Sequence, residues 1–221
     1  MNTFRAIIIL LVSINSFQNI FAQSGQKFLD SYNFYKNQGN ELNAKYFDTK
    51  GSPYLNDDFQ DGIVFLKDTS YSKFPLRYNI YEDDFEYKYE GKIYVIGNPG
   101  IIDRIEIGDI TFMHLPFIQS KGFFEVIVSG ASSLVQQYNV RLNPAKAPQP
   151  YVEAAPAEFI KEKEAFYIVN SSGYFEIKNI SNVTIALSDK KELIEKFLKD
   201  EKIKKIKREN LVKIVKYYND N

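Results

Sequence analysis

From residue 62 onward, apolar and polar side chains alternate along the chain with a period of two. This alternation is typical of β-strands, whose successive side chains point to opposite faces of a sheet. It predicts strands over residues 62–67, 74–81, 84–90, 92–96, 101–107, 110–115, 122–129 and 134–142. Tight turns rich in Gly, Asp and Asn separate these segments. The pattern therefore predicts a mainly β (α+β) fold, an antiparallel meander that forms a barrel-like or sandwich body.

The clearest two-faced segment is KFPLRYNIYEDDFEYKY, residues 73–89. One face carries a row of large apolar and aromatic side chains, which resumes after the acidic turn at residues 82–84. We interpret this row as cross-strand pairs within a β core. The other face carries the polar residues that we predict to contact a ligand or a partner: Arg77, Asn79 and Tyr81.

The C-terminal region changes to helical spacing. Residues 188–221 contain two apolar stripes, Leu193, Ile194, Phe197 and Leu198, then Leu211, Ile214, Val215 and Tyr218. They predict a helical pair, with Ser188 or Asp189 as the first N-cap and a short link near residues 204–207. Residues 190–216 hold ten Lys and one Arg against five acidic residues, a local charge of +6.

The remaining segments predict shorter elements and connections. Residues 26–45 predict a short helix or irregular lead-in, and residues 46–61 a loop, so that residues 23–61 precede the body. Residues 143–157, NPAKAPQPYVEAAPA, are typical of an extended Pro/Ala-rich connector. Residues 158–169 and 173–177 predict a β-hairpin, and residues 180–187 a further strand or a tight connection.

Residues 1–22 predict a secretory signal peptide. A positive start (MNTFR) is followed by the apolar run AIIILLV and by a small residue, Ala22, at the predicted cut. The mature chain would begin at Gln23, whereas an uncleaved N-terminal anchor is the alternative. No Cys follows the signal, so we do not expect a Cys-anchored lipoprotein. The prediction is an exported, periplasmic or outer-envelope-associated protein.

The residue composition excludes several classes of functional site and partner. The chain has no Cys, which excludes disulfides, thiol catalysis and cysteine metal sites and favours a bacterial envelope protein. Its 28 basic and 28 acidic residues leave −1 (27 against 28) once Arg5 is removed with the signal, so nucleic acid is not an expected partner. Its 18 Phe and 16 Tyr suit a β core; a sugar- or lipid-contacting surface is the alternative.

Candidate chemistry is sparse. His114 is the single histidine and lies in a predicted strand, and no G-x-S-x-G pattern accompanies it. Two acidic clusters stand in loops: Asp57, Asp58 and Asp61, then Glu82, Asp83 and Asp84. The first offers weak candidates for Ca²⁺ but lacks the EF-hand pattern, and paired carboxylates also serve glycoside hydrolysis. Solvated turns explain both clusters, and we expect no cofactor and no enzymatic activity.

Several segments resemble a family of exported proteins that is widespread in Bacteroidota and has no assigned function. The resemblance rests on GSPYLNDDFQDGIVFL, PLRYNIYEDDFEYK and the terminal LVKIVKYYN, and it covers residues 46–219. Its most specific part is PLRYN, residues 75–79. The resemblance implies an envelope location and a β-rich body with a helical tail, and it implies no catalytic residues.

Three functions are compatible with these features. The first is a non-enzymatic interaction or assembly module, which requires another envelope protein as a stable partner. The second is a periplasmic carrier of an apolar ligand in a β cavity, which a core filled with Phe and Tyr would oppose. The third is a hydrolase that uses the acidic loops. The basic tail is compatible with peripheral contact with an anionic membrane. The alternative is that its lysines cover the solvent side of the helices, where they pair with neighbouring Glu residues.

Overall fold

Antiparallel strands dominate the computed structural model, which describes residues 46, 48–68, 71–116, 122–148 and 154–221. Its strands are β1 (Gln60–Leu66), β2 (Tyr71–Asn79), β3 (Asp84–Tyr89), β4 (Lys92–Val95), β5 (Ile102–Ile107), β6 (Ile110–His114), β7 (Phe123–Val128), β8 (Ser133–Gln137), β9 (Val140–Asn143), β10 (Glu158–Lys161), β11 (Ala165–Asn170) and β12 (Gly173–Glu176). Its α-helices are α1 (Ile180–Ala186), α2 (Lys191–Asp200) and α3 (Arg208–Asp220). The predictions for residues 1–22 and 23–45 lie outside the described residues.

Ten of these strands form one sheet in the order β12-β11-β8-β7-β6-β5-β1-β2-β3-β4. Every neighbouring pair is antiparallel, which confirms the predicted mainly β class. The sheet is two meanders, β1–β4 and β5–β8, joined where β5 pairs with β1 instead of with β4. The first strand therefore lies inside the sheet, with hydrogen-bonded neighbours on both sides.

The sheet curls strongly on itself. Phe85 on β3 and Phe112 on β6 are separated by four strand spacings, which would be about 19 Å in a flat sheet. Their ring centroids are only 5.1 Å apart, and Phe85 is 4.8 Å from Phe123 on β7. The two meanders thus face each other across an aromatic core. We call the concave side, which carries these rings, the inner face, and the convex side the outer face.

The curled sheet remains open rather than closing as a barrel, because β4 and β12 each pair on one side only. The arrangement is sandwich-like. The strands β9 and β10 form a separate two-stranded sheet whose Val140 and Phe159 pack into the inner-face core. The described ends of the predicted Pro/Ala-rich connector extend this ribbon, since Lys146 and Ala155 exchange backbone hydrogen bonds.

The helices cover the inner face at the other end of the sheet. Buried residues of α2 and α3, among them Ile194, Leu211 and Ile214, pack against Leu134 and Ile168 of β8 and β11. Both predicted apolar stripes are thus buried in one shared core, which confirms the C-terminal helical pair. None of the helices in the described part of the chain has the length and apolar character needed to cross a bilayer.

Four local predictions were wrong. Residues 158–169 are two strands, because β10 pairs with β9 in the ribbon and only β11 forms the predicted hairpin with β12. Residues 180–187 are mostly helix α1, because Asn179 and Asn182 form a reciprocal capping box and Val183 and Ala186 are buried. Residues 134–142 are two strands, β8 and β9, since the chain leaves the large sheet and enters the ribbon. A 3₁₀ turn at Ser188–Lys190 replaces the predicted N-cap of α2.

Candidate functional site: a cleft beside strand β2

The cleft arises where the chain bulges out of the sheet before β1. Tyr54 bridges to Asn79 and Gln60 pairs with Leu76, so five residues, 55–59, stand opposite only two on β2. The surplus residues leave the sheet as a loop, because one strand position can accommodate only one partner. We call this segment the 55–59 bulge. It leaves a gap between β2 and the hairpin of β5 and β6.

The gap is a cleft of about 270 Å³. Apolar side chains of the inner face and of the 55–59 bulge form most of its walls. The complete lining is Leu55, Asn56, Asp58, Gln60, Leu76, Arg77, Tyr78, Ile107, Ile110 and Phe112. Four of these residues have charged or amide side chains, and the hydroxyl of Tyr78 is bonded to Asp83, so an occupant would meet an apolar pocket with a polar border.

Arg77, a predicted contact residue, holds the bulge in place. Its guanidinium forms an ion pair of 2.5 Å with Glu86, whose side chain is 1% exposed. It also donates to the Asp57 carbonyl at 3.0 Å and lies 3.6 Å from the Tyr54 ring centroid and 4.4 Å from that of Phe59. The cation therefore contacts two aromatic rings, a carboxylate and a backbone carbonyl. Arg77 therefore shapes the cleft from the outer face.

Tyr54 completes this cluster. Its hydroxyl donates to Glu86 at 3.2 Å. Burial first, and the negative charge of Glu86 second, raise the pKa of the Tyr54 hydroxyl well above its usual value. The hydroxyl therefore stays protonated and continues to donate over the physiological pH range.

The other two predicted contact residues have different surroundings. Asn79 is 1% exposed, and its side chain accepts a hydrogen bond from the backbone N–H of Glu82 at 3.1 Å. It therefore stabilises the β2–β3 turn. Tyr81 is 36% exposed, and its ring lies 5.2 Å from that of Phe159 on β10. The structure thus brings Arg77 to the cleft, buries Asn79 beside it and places Tyr81 against the ribbon.

The acidic clusters are also dispersed. Asp57 accepts a hydrogen bond from the Ser52 hydroxyl, while Asp58 and Asp61 are exposed. In the second cluster, Asp83 accepts from the Tyr78 hydroxyl at 2.6 Å and from the Gly122 N–H at 2.5 Å. Among the described residues, no group of three or more His, Asp or Glu side chains is placed to hold a metal ion.

His114 lies near the second cluster. Its ring centroid is 5.1 Å from that of Phe123, and a side chain at Gly122 would overlap the imidazole. Burial lowers the pKa of His114, although the nearby carboxylate of Asp83 opposes this shift. A neutral imidazole packed against an aromatic ring suits a strand residue of the β6–β7 hairpin.

Sequence patterns did not find the cleft itself. Its walls come from β2, β5, β6 and the bulge, and only their spatial pairing brings them together. The one usable signal was the acidic loop sequence LNDDF at residues 55–59, which interrupts the strand pattern before Gln60. Comparisons with known proteins add no functional residues, since no family model, curated protein or solved structure matches the chain.

Proposed function

We propose that the protein is an exported, non-enzymatic interaction module of the bacterial cell envelope, and that the cleft beside β2 receives an apolar side chain of a partner protein. The cleft is the observation that carries this proposal. Its volume of about 270 Å³ lies just below the range of about 300–1,000 Å³ that is common for small-molecule pockets. Partner proteins are typically anchored by one or two large side chains in such a pocket.

The residues around the cleft suit the binding of a partner side chain better than they suit catalysis. Leu55 and Ile110 are half-buried and offer apolar contact surface to an occupant. Leu76, Tyr78 and Phe112 are nearly fully buried and form the base of the cleft. Asn56 and Asp58 are exposed at the polar border, where a partner backbone would find hydrogen-bond acceptors. The cation of Arg77 is already satisfied, so it adds rigidity to the border.

A second function, carriage of an apolar ligand, is favoured by the same apolar walls. The aromatic residues that fill the inner face leave little room for a large ligand, because rings such as Phe85, Phe112 and Phe123 are in direct contact. The carrier hypothesis is therefore confined to a small apolar molecule in the cleft.

Site-specific photo-crosslinking in the native envelope tests the interaction module. A benzophenone side chain would replace Asn56 at the mouth of the cleft, and Tyr174 on β12 as the matched control, which is 42% exposed. We expect one protein adduct from position 56 and none of the same mass from position 174. The half-buried rim residue Ile110 provides a blocking variant, Ile110→Phe, which should abolish the adduct while the circular dichroism spectrum is unchanged.

The outcomes separate the candidates. Equal adducts from both positions, or an adduct that survives Ile110→Phe, would remove the cleft from the proposal. Native mass spectrometry of the gently purified protein then tests the carrier, since a small bound mass that Ile110→Phe displaces would support it. The same spectrum gives the chain mass, and the mass of the full chain instead of residues 23–221 would contradict the predicted cleavage and favour the uncleaved anchor.

A further inference from the structure

Positive charge is concentrated in the helical region, away from the cleft. Residues 190–216 carry +6, whereas the rest of the predicted mature chain carries −7, from 16 basic and 23 acidic residues. The basic stretch corresponds to α2, α3 and the loop between them. Such separation of charge gives one end of the molecule an attraction for anions that its net charge of −1 conceals.

The lysines of this region are not neutralised by their neighbours. The sequence suggests i,i+4 pairs between Glu192 and Lys196 and between Glu195 and Lys199, but neither forms. The one ion pair here that involves a lysine joins Lys191 to Glu195 at 3.7 Å. In the described part of the chain, the following lysines make no ion pair: Lys196, Lys199, Lys202, Lys204, Lys205, Lys207, Lys213 and Lys216.

Four of them lie in the link between α2 and α3, residues 202–207 with the sequence KIKKIK, which we call the lysine loop. Ile203 is buried and its N–H donates to the Leu198 carbonyl at 2.9 Å, and Ile206 is half-buried. These two isoleucines attach the loop to the helical core. The lysines between and around them are exposed, so the backbone presents a fixed group of four cations.

The backbone at the start of the lysine loop is unusual for a lysine. Lys202 has φ of 54°, in the left-handed region where helices usually end on Gly. A β-carbon is less stable than Gly in this region, because it comes too close to the following carbonyl oxygen. The chain thus carries a cation where glycine would be more stable, and an outlier of this kind is a reason to look for function.

The chemistry of the loop suits a diffuse anionic surface better than a single carboxylate. Its cations are all lysines, which act as mobile point charges without the planar fork of arginine. The adjacent Arg208 shows the contrast, because its guanidinium binds both carboxylate oxygens of Glu125 inside the protein. The four lysines of the loop are exposed, and neither the cleft beside β2 nor the cavity beside β1 and β5 includes them in its lining.

We propose that the lysine loop is an electrostatic docking site for an anionic lipid bilayer. A planar array of lipid phosphates matches an exposed group of lysines, since each lysine gains attraction without a shaped pocket. The helices lie on the surface in this arrangement and do not insert. The docking site is independent of the cleft, and either can fail without the other.

Co-sedimentation with lipid vesicles tests the docking site. Protein purified after export would be mixed with phosphatidylcholine vesicles and with vesicles that also contain phosphatidylglycerol. We expect binding to the mixed vesicles only, and its loss in concentrated salt, where charges are screened within a few ångströms. A triple variant, Lys204→Gln, Lys205→Gln and Lys207→Gln, should weaken binding about 100-fold, at about fivefold per lysine.

A matched variant controls for total charge. Lys73→Gln, Lys92→Gln and Lys161→Gln remove three exposed lysines from β2, β4 and β10, and binding should stay within about twofold of the unaltered protein. No binding to the mixed vesicles overturns the proposal, and so does equal weakening by both triple variants. If the unaltered protein does not bind the mixed vesicles but self-associates in dilute salt, the loop would be assigned to an acidic protein surface instead.

Discussion

At the scale of single residues, the segment PLRYN (75–79) combines several structural roles. Leu76 is fully buried in the inner-face core, and the Tyr78 hydroxyl donates to Asp83. Arg77 pairs with Glu86 on the outer face, and Asn79 stabilises the following turn. The segment that carries the resemblance to the Bacteroidota family thus has a structural explanation for most of its residues. Membership of that family stays a prediction.

The ion pair between Arg77 and Glu86 provides the first prediction. We expect Arg77→Met to lower the free energy of unfolding by about 3–5 kcal/mol, because it leaves the buried carboxylate of Glu86 without its partner. Urea denaturation measures this change. Adding Glu86→Gln to the same chain should restore part of the loss, since an uncharged amide costs less to bury than an unpaired charge.

Arg141→Met is the matched control for this prediction. Arg141 pairs with Glu162 at 3.1 Å, but the two side chains are 51% and 46% exposed. An exposed pair contributes less than about 1 kcal/mol because water screens it. If Arg77→Met and Arg141→Met destabilise the protein equally, the contacts of Arg77 with Glu86 and Tyr54 do not hold the 55–59 bulge in place.

At the scale of elements, hydrophobic spacing predicted most strands and both long helices correctly. Periodicity succeeds there because burial on one face fixes a strand or a helix along its own length. It failed at α1, where Val183, Thr184 and Ile185 favour a strand by intrinsic propensity. The Asn179–Asn182 capping box and burial against the other helices outweigh that propensity.

Asn219 attaches the C-terminal end of α3 to the β7–β8 turn, which gives the second prediction. Asn219 accepts from the Ser132 N–H at 3.0 Å and donates to the Ser132 carbonyl at 2.9 Å. Gly130 leaves room for it, because a methyl group there would overlap the Asn219 amide. We expect Asn219→Ala to lower the free energy of unfolding by about 1–3 kcal/mol, as measured by urea denaturation.

A double-mutant cycle shows whether Gly130 and Asn219 act together. Gly130→Ala alone should destabilise the protein, whereas it should be nearly neutral when Asn219→Ala has removed the amide. Asn221→Ala serves as the control, because Asn221 is exposed and donates only to the Tyr217 carbonyl within its own helix. Additive effects of the first two substitutions would show that the close approach does not matter for docking of α3.

At the scale of the whole molecule, the sequence could not show how the two meanders join. Local alternation determines the faces of each strand, but the pairing of β1 with β5 links residues about forty positions apart, and no local pattern encodes it. The curl and the cleft both follow from that pairing. The predicted site therefore contained Arg77 but lacked Ile107, Ile110 and Phe112.

A group of hydrogen-bonded polar side chains lies between the aromatic core and the helical core. Glu125 and Gln136 lie on the inner face and are 6% and 3% exposed. Tyr138 donates to Glu125 at 2.6 Å, and Arg208 at the start of α3 donates to both Glu125 and Gln136. Arg208, the one arginine of the basic stretch, thus attaches the helices to the sheet, and the lysines are left for external contacts.

Asp83 connects the two meanders of the curled sheet, and this gives the last prediction. Its carboxylate accepts from Tyr78 on β2 and from the N–H groups of Gly122 and Phe123 at the start of β7, at 2.5 and 3.4 Å. Asp83→Gly removes these bonds, and it also relieves the backbone, since Asp83 has φ of 59°. We expect a net loss of about 2 kcal/mol in the free energy of unfolding, because bonds to a charged group outweigh the relief of about 1 kcal/mol.

Amide hydrogen exchange identifies where this stability is lost. Amide exchange in Asp83→Gly should accelerate at Gly122 and Phe123, whose N–H groups donate to Asp83. The strands β11 and β12, at the far end of the sheet, should stay protected. Asp109→Gly is the control, because Asp109 is an exposed residue of the β5–β6 turn. If both variants exchange alike, ring packing between β3, β6 and β7 is sufficient to hold the curl. The cleft would then depend on the aromatic core alone, and substitution of Phe112 would be the way to open it.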